Sequence, residues 1–364
     1  MLGKYQIYQL DNPRVWRTYL GGKTLDELHQ KEMPQDGSFP EEWIMSVVEA
    51  RNVGREDIQA EGLSRIIGNE VEYLKDLIET NPEEILGKVH YEKQGKSLGV
   101  LVKLIDASER LTIQVHPDRQ KAEELFHSSY GKTECWHIFG KRTINGEEPC
   151  VYLGFKEGVS KERWQELFEK QDIAGMLSCL HHFPVKEGDT ILINGGVPHA
   201  IGCGCFLVEI QEPTDYTIRV EKITPSGVKV ADAMCHQGVG FEKMFECFTY
   251  EGLSKEEVKK RWFLSEKVFD NQEKSAIQKC VGYEDTPFFK MNRLEVKECL
   301  TVSSEETFSG LYILQGKGTM QIKGQETKME IRQGQQYFVP ANTGEICFTA
   351  LEPITAFQFF GPQS

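Results

Sequence analysis

Four side chains of types that bind metal ions lie between positions 114 and 199 of the chain. Gln114 and His116 are two residues apart in a run that alternates with apolar residues, so a strand would direct both to the same face. Glu134 follows in the segment Gly-Lys-Thr-Glu, and His199 ends Gly-Gly-Val-Pro-His. An amide, a carboxylate and two imidazoles that converge would bind a metal ion of intermediate hardness and leave room for a further ligand.

Each of these residues alone has a more ordinary explanation. An isolated His116 is more often a core or turn histidine, an isolated Glu134 is more often a surface carboxylate, and Arg219 would usually pair with a nearby acid. His181 and its neighbour are predicted to end a helix and to bind no metal. The metal-site hypothesis therefore depends on a fold that brings distant segments together.

The segments around these residues have the pattern of short strands. Residues 98–105 and 112–116 are apolar and extended, and four further apolar stretches (FPV, TILI, CFLVEI and TIRV) follow, divided by Gly, Pro and Asp. Many short strands with glycine turns predict a β-barrel or sandwich. Apolar residues at spacings of three and four predict helices at about 55–87 and 160–182.

A repeated sequence pattern predicts two related barrels. Residues 188–199 and 334–345 both contain a glycine, a hydrophobic strand and a proline turn, but Glu345 stands where the first copy has His199. All nine histidines lie at or before His236. We therefore predict a mainly β chain with a catalytic barrel over 1–250, a connection over 251–282, and a C-terminal barrel without metal ligands over 283–364.

The amino-acid composition limits the classes of partner that this protein can bind. The net charge of −14 argues against a nucleic-acid or anionic-membrane surface, because both require a basic face. No apolar run approaches the length of a membrane span, and the first residues lack the apolar core of a signal peptide. The ten cysteines include no Cys-x-x-Cys pair. These features predict a cytoplasmic protein with reduced cysteines and without nucleic-acid or membrane partners.

Several segments of the sequence resemble those of known protein families. Residues 188–199 are similar to the second metal motif of cupins. In addition, Leu111–Asp118, Gly131–Trp136, Gly196–Gly202 and Glu209–Arg219 resemble the type I phosphomannose isomerases and occur in that family's order. The N-terminal part departs from the family pattern: the usual Trp-Gly-Gly appears as Trp16–Gly22, interrupted by four residues. Contacts to the sugar are therefore expected to differ.

The resemblance implies two cupin (jelly-roll) barrels and a zinc enzyme that interconverts mannose 6-phosphate and fructose 6-phosphate. It implies one Zn²⁺ per chain, with the metal ligands Gln114, His116, Glu134 and His199. It places the catalytic residues at Lys132 and Arg219, and the substrate-binding residues at Lys103, Glu209 and Asp215.

The residue chemistry agrees with this reading. Moving a proton between C1 and C2 of a sugar passes through an enediol, and its developing negative charge needs a nearby cation. A local basic cluster would also bind the phosphate group against the acidic bulk charge. We predict that this cluster consists of Lys103, Lys132, Arg219 and Lys222.

Three alternatives remain at this point. A non-catalytic sugar-phosphate sensor could retain the metal site, and an isomerase for a related sugar phosphate could share all four segments that resemble the phosphomannose isomerases. An iron cupin with oxidative chemistry is compatible with the ligand types but leaves Lys132 and Arg219 without a role.

Overall fold

The computed structural model describes residues 6–265, 267–272 and 274–363, and it is mostly β-sheet. The strands are β1 (Tyr8–Leu10), β2 (Arg14–Val15), β3 (Glu41–Ile44), β4 (Leu101–Asp106), β5 (Gln114–Val115), β6 (Glu134–Lys141), β7 (Cys150–Phe155), β8 (Leu180–Pro184), β9 (Thr190–Ile193), β10 (His199–Ile201), β11 (Cys205–Gln211), β12 (Ile218–Arg219), β13 (Phe263–Leu264), β14 (Lys267–Gln272), β15 (Ser275–Val281), β16 (Lys290–Val296), β17 (Cys299–Val302), β18 (Ser309–Ile322), β19 (Met329–Arg332), β20 (Gln336–Val339) and β21 (Ile346–Phe360).

The α-helices are short. They are α1 (Lys23–Leu28), α2 (Leu74–Thr80), α3 (Pro82–Leu86), α4 (Lys88–Gln94), α5 (Arg119–Phe126), α6 (Lys161–Glu169), α7 (Ile173–Ser178), α8 (Asp232–His236), α9 (Gly240–Lys243) and α10 (Lys255–Trp262). Two 3₁₀ turns lie at Met244–Cys247 and Ala341–Thr343. No helix among the described residues combines the length and the apolarity that a membrane crossing requires.

Two antiparallel sheets carry the predicted metal ligands. One has the order β13-β9-β6-β11-β4-β3-β2 and the other β12-β5-β10-β7-β8. A buried cluster contains residues of both sheets, among them Trp136, Ile138 and Leu207 from the first and Val151, Leu153 and Ile201 from the second. Burial of these apolar faces holds the two sheets together.

The remaining strands form a third sheet with the order β1-β20-β18-β21-β16-β15-β14, to which β17 and β19 add at β21 and β18. Strand β1, from the start of the chain, pairs with β20 near its end, so the N-terminal segment belongs to this sheet. The predicted connection over 251–282 contains α10 and strands β13 to β15, and two of these strands pair within the third sheet.

The predicted helix over 55–87 is wrong in its first half. Helical structure begins only at Leu74 and is divided into α2 and α3 by Asn81 and Pro82. Before it, Gly62 and Gly68 have φ values of 89° and 71°, which an α-helix does not contain. A Cβ at Gly62 would also lie 2.5 Å from the Trp43 ring, so this segment packs closely against β3.

The predicted helix over 160–182 is two helices and a strand. Helix α6 begins after Ser160, whose side chain accepts a hydrogen bond from the Arg163 N–H. Gln171 has a φ of 49° and ends this helix, and Asp172 caps the next one. His181 lies in strand β8 rather than at a helix end.

Candidate metal centre and its cavity

The four predicted metal ligands come together between the two N-terminal sheets. Gln114 on β5 lies directly opposite His199 on β10, with 3.2 Å between the Gln114 amide nitrogen and His199 Nε2. From the other sheet, Glu134 approaches within 3.1 Å of His116 Nε2 and 3.2 Å of His199 Nε2. One ligand atom each from His116, Glu134 and His199 lies within 4.8 Å of the other two. The structure therefore brings these side chains together, as the metal-site hypothesis requires.

Backbone carbonyls orient both imidazoles. Nδ1 of His116 lies 2.8 Å from the Tyr216 carbonyl oxygen, and Nδ1 of His199 lies 2.9 Å from that of Val197. Because a carbonyl only accepts, each Nδ1 carries the proton and donates it, and each Nε2 is unprotonated, with its lone pair directed to the centre. This is the arrangement that metal-binding histidines commonly adopt.

The centre is a group of acceptors that need a cation. Both oxygens of Glu134 are fully buried and lack a hydrogen bond among the described residues, although they face the lone pairs of His116 and His199. Turning the Gln114 side-chain amide over would add its oxygen to this set. Buried acceptors that face one another repel, so a divalent cation fits the residues present.

Lys132 supplies positive charge beside this centre. Its Nζ lies 2.9 Å from His116 Nε2 and 3.1 Å from a Glu134 oxygen. Burial, and then the charge of Lys132, lowers the pKa of His116 to about 3, so its imidazole is neutral and able to bind a metal. Burial alone would raise the pKa of Glu134, but Lys132 and the histidines hold it well below its ordinary value.

A cavity of about 780 Å³ lies beside the centre. Gln114, Lys132, Arg219 and three further predicted residues line it, namely Lys103, Glu209 and Asp215. The structure therefore brings the predicted catalytic and substrate-binding residues to one cavity, next to the candidate metal ligands.

Lys103 and Glu209, which line the cavity, belong to a row of residues on four adjacent strands. Lys103 lies opposite Trp43 and Glu209, and Glu209 lies opposite Trp136. Glu209 is 3.2 Å from the Lys103 ammonium and accepts a 3.0 Å hydrogen bond from the Trp136 indole. This buried ion pair is held between two indole rings and ties the row together.

A second row is formed by His199, Gln114 and Arg219 on β10, β5 and β12, and of these Gln114 and Arg219 line the cavity. Arg219 donates from Nη1 to the carbonyl oxygens of Thr217 and Met234, at 3.2 and 2.9 Å. Within the described part of the chain it forms no ion pair at 4.0 Å or less. Its positive charge is therefore available to the cavity.

Lys222 does not belong to the predicted basic cluster. Its ammonium lies over the rings of Phe168 and Phe241, at 5.4 and 4.4 Å, and the residue does not line the cavity. Lys222 lies three residues after the end of β12, where the chain has turned away from the cavity.

The N-terminal segment contributes cavity residues that were not predicted. Arg17, Tyr19, Glu41 and Asn52 all line the cavity. Glu41 and the following glutamate are charged residues in a strand that continues with Trp43 and Ile44. Carboxylates in such an apolar strand require buried partners, and this signal could have pointed to the segment.

Comparisons with known proteins agree with one another. The family model described as "Phosphomannose isomerase type I, catalytic domain" matches residues 53–133. "Probable mannose-6-phosphate isomerase GmuF" of Bacillus subtilis (strain 168) is 27% identical over 254 residues, which are 69% of this chain and 72% of that protein. A mannose-6-phosphate isomerase of Streptococcus mutans serotype c is 36% identical over 121 residues, 33% of this chain and 35% of that protein.

Solved structures share the fold. The mannose 6-phosphate isomerase from Bacillus subtilis superimposes with a TM-score of 0.74 at 20% identity, over 97% of this chain and 99% of that one. A mannose 6-phosphate isomerase bound with zinc and yttrium gives a TM-score of 0.72 at 16% identity, over 98% and 99% of the two chains.

Proposed function

We propose that this chain is an isomerase of the phosphomannose isomerase type I family, a proposal that the family match over residues 53–133 and the relative from Bacillus subtilis support. We further propose that it is a zinc-dependent enzyme that interconverts mannose 6-phosphate and fructose 6-phosphate. The observation that carries the proposal is the buried group of His116, Glu134 and His199 at the edge of a cavity that Lys132 and Arg219 also line.

We propose Gln114, His116, Glu134 and His199 as the ligands of one zinc ion per chain. The relative bound with zinc and yttrium supports this choice of metal. Zinc bound there would supply a Lewis acid for the oxygens at C1 and C2 of the substrate.

Arg219 is the proposed stabiliser of the enediolate. Isomerisation moves a proton from C2 to C1, or the reverse, and leaves negative charge on the substrate oxygens in between. Arg219 lies on the strand next to Gln114 and has no carboxylate partner among the described residues, so its guanidinium can donate to those oxygens.

Lys132 is the better candidate for proton transfer. Glu209 already accepts from the Lys103 ammonium and from the Trp136 indole, one partner for each of its oxygens. Lys132 is 3% exposed and lies against His116 and Glu134, where it can hold or move a proton at a substrate oxygen near the centre. Glu209, Lys103 and Asp215 are proposed to bind and orient the substrate.

We also propose that the two N-terminal sheets form a cupin barrel and that the third sheet is a related barrel without a metal site. The third sheet also contains β1, β14 and β15, which lie outside the predicted range 283–364. Glu345, which takes the place of His199 in the second sequence copy, is exposed and pairs with Lys323. That contact gives it no role in a buried metal site.

A coupled assay for fructose 6-phosphate tests the isomerase proposal. Mannose 6-phosphate should be converted, removal of the metal by a chelator should abolish turnover, and added zinc should restore it. Activity that is indifferent to chelation would contradict the zinc proposal. Tight binding of mannose 6-phosphate without turnover at any metal loading would favour the sensor instead.

Arg219→Ala separates catalysis from metal binding. We expect turnover to fall by roughly 100- to 1000-fold, since one preorganised donor to an oxyanion is lost. Zinc content should stay at that of the wild type, because Arg219 contacts backbone carbonyls and no ligand side chain. Arg163→Ala, a similar truncation on the exposed side of α6, is the matched control and should leave turnover unchanged.

A further inference from the structure

Arg17 is a buried arginine whose position is set by several partners. It is 8% exposed, and its Nε lies 2.9 Å from a Glu41 oxygen. Its Nη1 donates to the Asn52 side chain at 3.2 Å and to the Trp16 carbonyl at 3.3 Å. The guanidinium also lies over the Trp43 ring at 5.3 Å. Four contacts on three sides fix the plane of this group.

Its carboxylate partner is itself firmly held. Glu41 accepts hydrogen bonds from the Tyr19 hydroxyl at 2.8 Å and from the Trp43 indole at 2.9 Å, in addition to its contact with Arg17. Charge-assisted contacts of this kind restrict the geometry of both partners. The Arg17 guanidinium is therefore preorganised before any substrate arrives.

One end of this guanidinium has no hydrogen-bond partner among the described residues. Nη2 of Arg17 is buried and forms no hydrogen bond within the described chain. Asp215 Oδ2 lies 3.9 Å from this nitrogen, close enough for an ion pair but beyond hydrogen-bond distance. The Asp215 carboxylate, in turn, accepts no hydrogen bond from the described residues. Both residues line the cavity.

The Arg17 donor and the Asp215 acceptor belong to residues that line one cavity, and they are 3.9 Å apart, too far for a direct hydrogen bond. A ligand hydroxyl between them could bond to both. A hydroxyl accepts one hydrogen bond and donates another, so it can accept from Arg17 Nη2 and donate to Asp215. The Asp215 carboxyl is an acceptor at neutral pH, because Arg17 and Lys103 hold its pKa below the ordinary value although burial would raise it.

We propose that Arg17 binds a hydroxyl of the sugar chain, on a carbon that neither reacts nor carries the phosphate, with Asp215 as the second partner of that hydroxyl. The inference rests on the proposed function for the identity of the substrate. It makes Arg17, from the segment that departs from the family pattern, a residue that determines sugar specificity.

The phosphate group itself does not suit this position. A phosphate accepts but does not donate at neutral pH, and it would approach the Asp215 carboxylate within a few ångströms. Repulsion between like charges about 4 Å apart near a protein surface lowers affinity on the order of a thousandfold. Arg219, which has no acid within 4.0 Å among the described residues, is the better placed cation for an anionic group.

Binding of two inert ligands tests the proposal without turnover. Mannitol 6-phosphate keeps the hydroxyls but has no carbonyl, and 1,6-hexanediol monophosphate keeps the chain length and the phosphate but lacks the inner hydroxyls. Calorimetric titration of zinc-loaded wild type and Arg17→Lys would compare them. The lysine retains a charge for Glu41 but lacks Nη2. We expect mannitol 6-phosphate to bind about 10- to 100-fold more weakly to the variant, and the hexanediol ligand to bind unchanged.

Two outcomes would overturn the assignment. Equal weakening of both ligands would make Arg17 a phosphate contact, and unchanged binding of mannitol 6-phosphate would remove any ligand role. Hydroxyl-dependent weakening in a protein that does not isomerise mannose 6-phosphate would leave the Arg17 assignment intact and refute the proposed function.

Two further variants control for folding. Arg14→Lys changes an arginine of the same segment that binds Asp26 and the Phe39 carbonyl, and it should bind both ligands as the wild type does. Arg17→Met combined with Glu41→Gln removes the guanidinium without leaving a buried carboxylate unpaired. If this double variant discriminates between the two ligands as the wild type does, the proposal is wrong even where Arg17→Lys fails to fold.

Discussion

Glu41 is one buried side chain that positions several residues of the cavity lining. Three donors, from Arg17, Tyr19 and Trp43, converge on its two oxygens. Burial alone would raise its pKa, but the charges of Arg17 and Lys103 lower the pKa to about 2. The ionised carboxylate is therefore a stabilising partner in the folded chain at neutral pH.

The stability that Glu41 provides depends on pH. Its folded pKa of about 2 is below the ordinary 4.5, so the contribution is complete above about pH 4.5 and is lost as the pH falls through about 2. We expect Glu41→Gln to lower the free energy of unfolding by about 3 kcal/mol near pH 7 and by progressively less in acid. Urea unfolding at several pH values measures this difference.

An exposed glutamate provides the control for that experiment. Glu92→Gln changes an exposed residue of α4 and should alter the free energy of unfolding by less than about 0.5 kcal/mol at any of these pH values. A Glu41→Gln effect that stays constant from pH 7 into strong acid would show that the charge of Glu41 is not the source of its contribution.

At the scale of elements, the start of β6 is the segment that presents both Lys132 and Glu134. The intervening Thr133 donates its N–H to Glu212 Oε2 at 3.0 Å, and the Glu212 N–H returns a bond to the Thr133 carbonyl at 3.1 Å. The other Glu212 oxygen accepts from Arg119 at the start of α5. Glu212 is fully buried and connects the strand and the helix that flank the metal centre.

Removing this connection should weaken metal binding at a distance. We expect Glu212→Ala to raise the zinc dissociation constant about tenfold, because groups that hold metal ligands in position commonly contribute that much. Glu212→Gln keeps an acceptor for the Thr133 N–H and should have a smaller effect. Competition with a chromophoric chelator measures the constant, and unchanged zinc affinity in folded Glu212→Ala would refute a positioning role.

At the scale of the whole molecule, the third sheet packs against the sheet that carries Glu134. One buried cluster contains Val102, Leu104 and Val208 of the latter together with Phe338 and Phe357 of the third sheet. Glu42 adds a polar link, since it accepts from the Tyr312 hydroxyl at 2.8 Å and from the Asn12 amide at 2.7 Å and lies 2.6 Å from His29 Nε2. A shared apolar cluster predicts that the two parts unfold together.

Loss of one hydroxyl tests this link. Tyr312→Phe should lower the free energy of unfolding by about 2 kcal/mol, because it deprives the buried Glu42 carboxylate of a donor. The chain should still unfold in a single transition, followed by both fluorescence and circular dichroism. Tyr73→Phe, which removes an exposed hydroxyl, is the control. Two separate transitions in the wild type would contradict the coupling of the two parts.

Much of the candidate metal centre could be predicted from the sequence, whereas the helices could be predicted only in part. Strand alternation places Gln114 and His116 on one face, and both indeed approach the other ligands. The helix predicted from 55 failed because apolar spacing alone does not register Gly62 and Gly68, whose positive φ values end regular structure. His181 was misplaced because the positive φ at Gln171 divides a pattern that otherwise reads as one helix.

The sequence by itself determined the types and local spacing of the candidate metal ligands, and it directed Gln114 and His116 to one face, because side-chain direction along a strand repeats every two residues. Only the tertiary structure decided that Arg17 meets Asp215, that β1 joins the third sheet, and that Lys222 turns away from the cavity. These contacts join residues far apart in the chain or depend on where a strand ends. Their geometry depends on how one sheet packs on another, and a local sequence pattern contains no information about that packing.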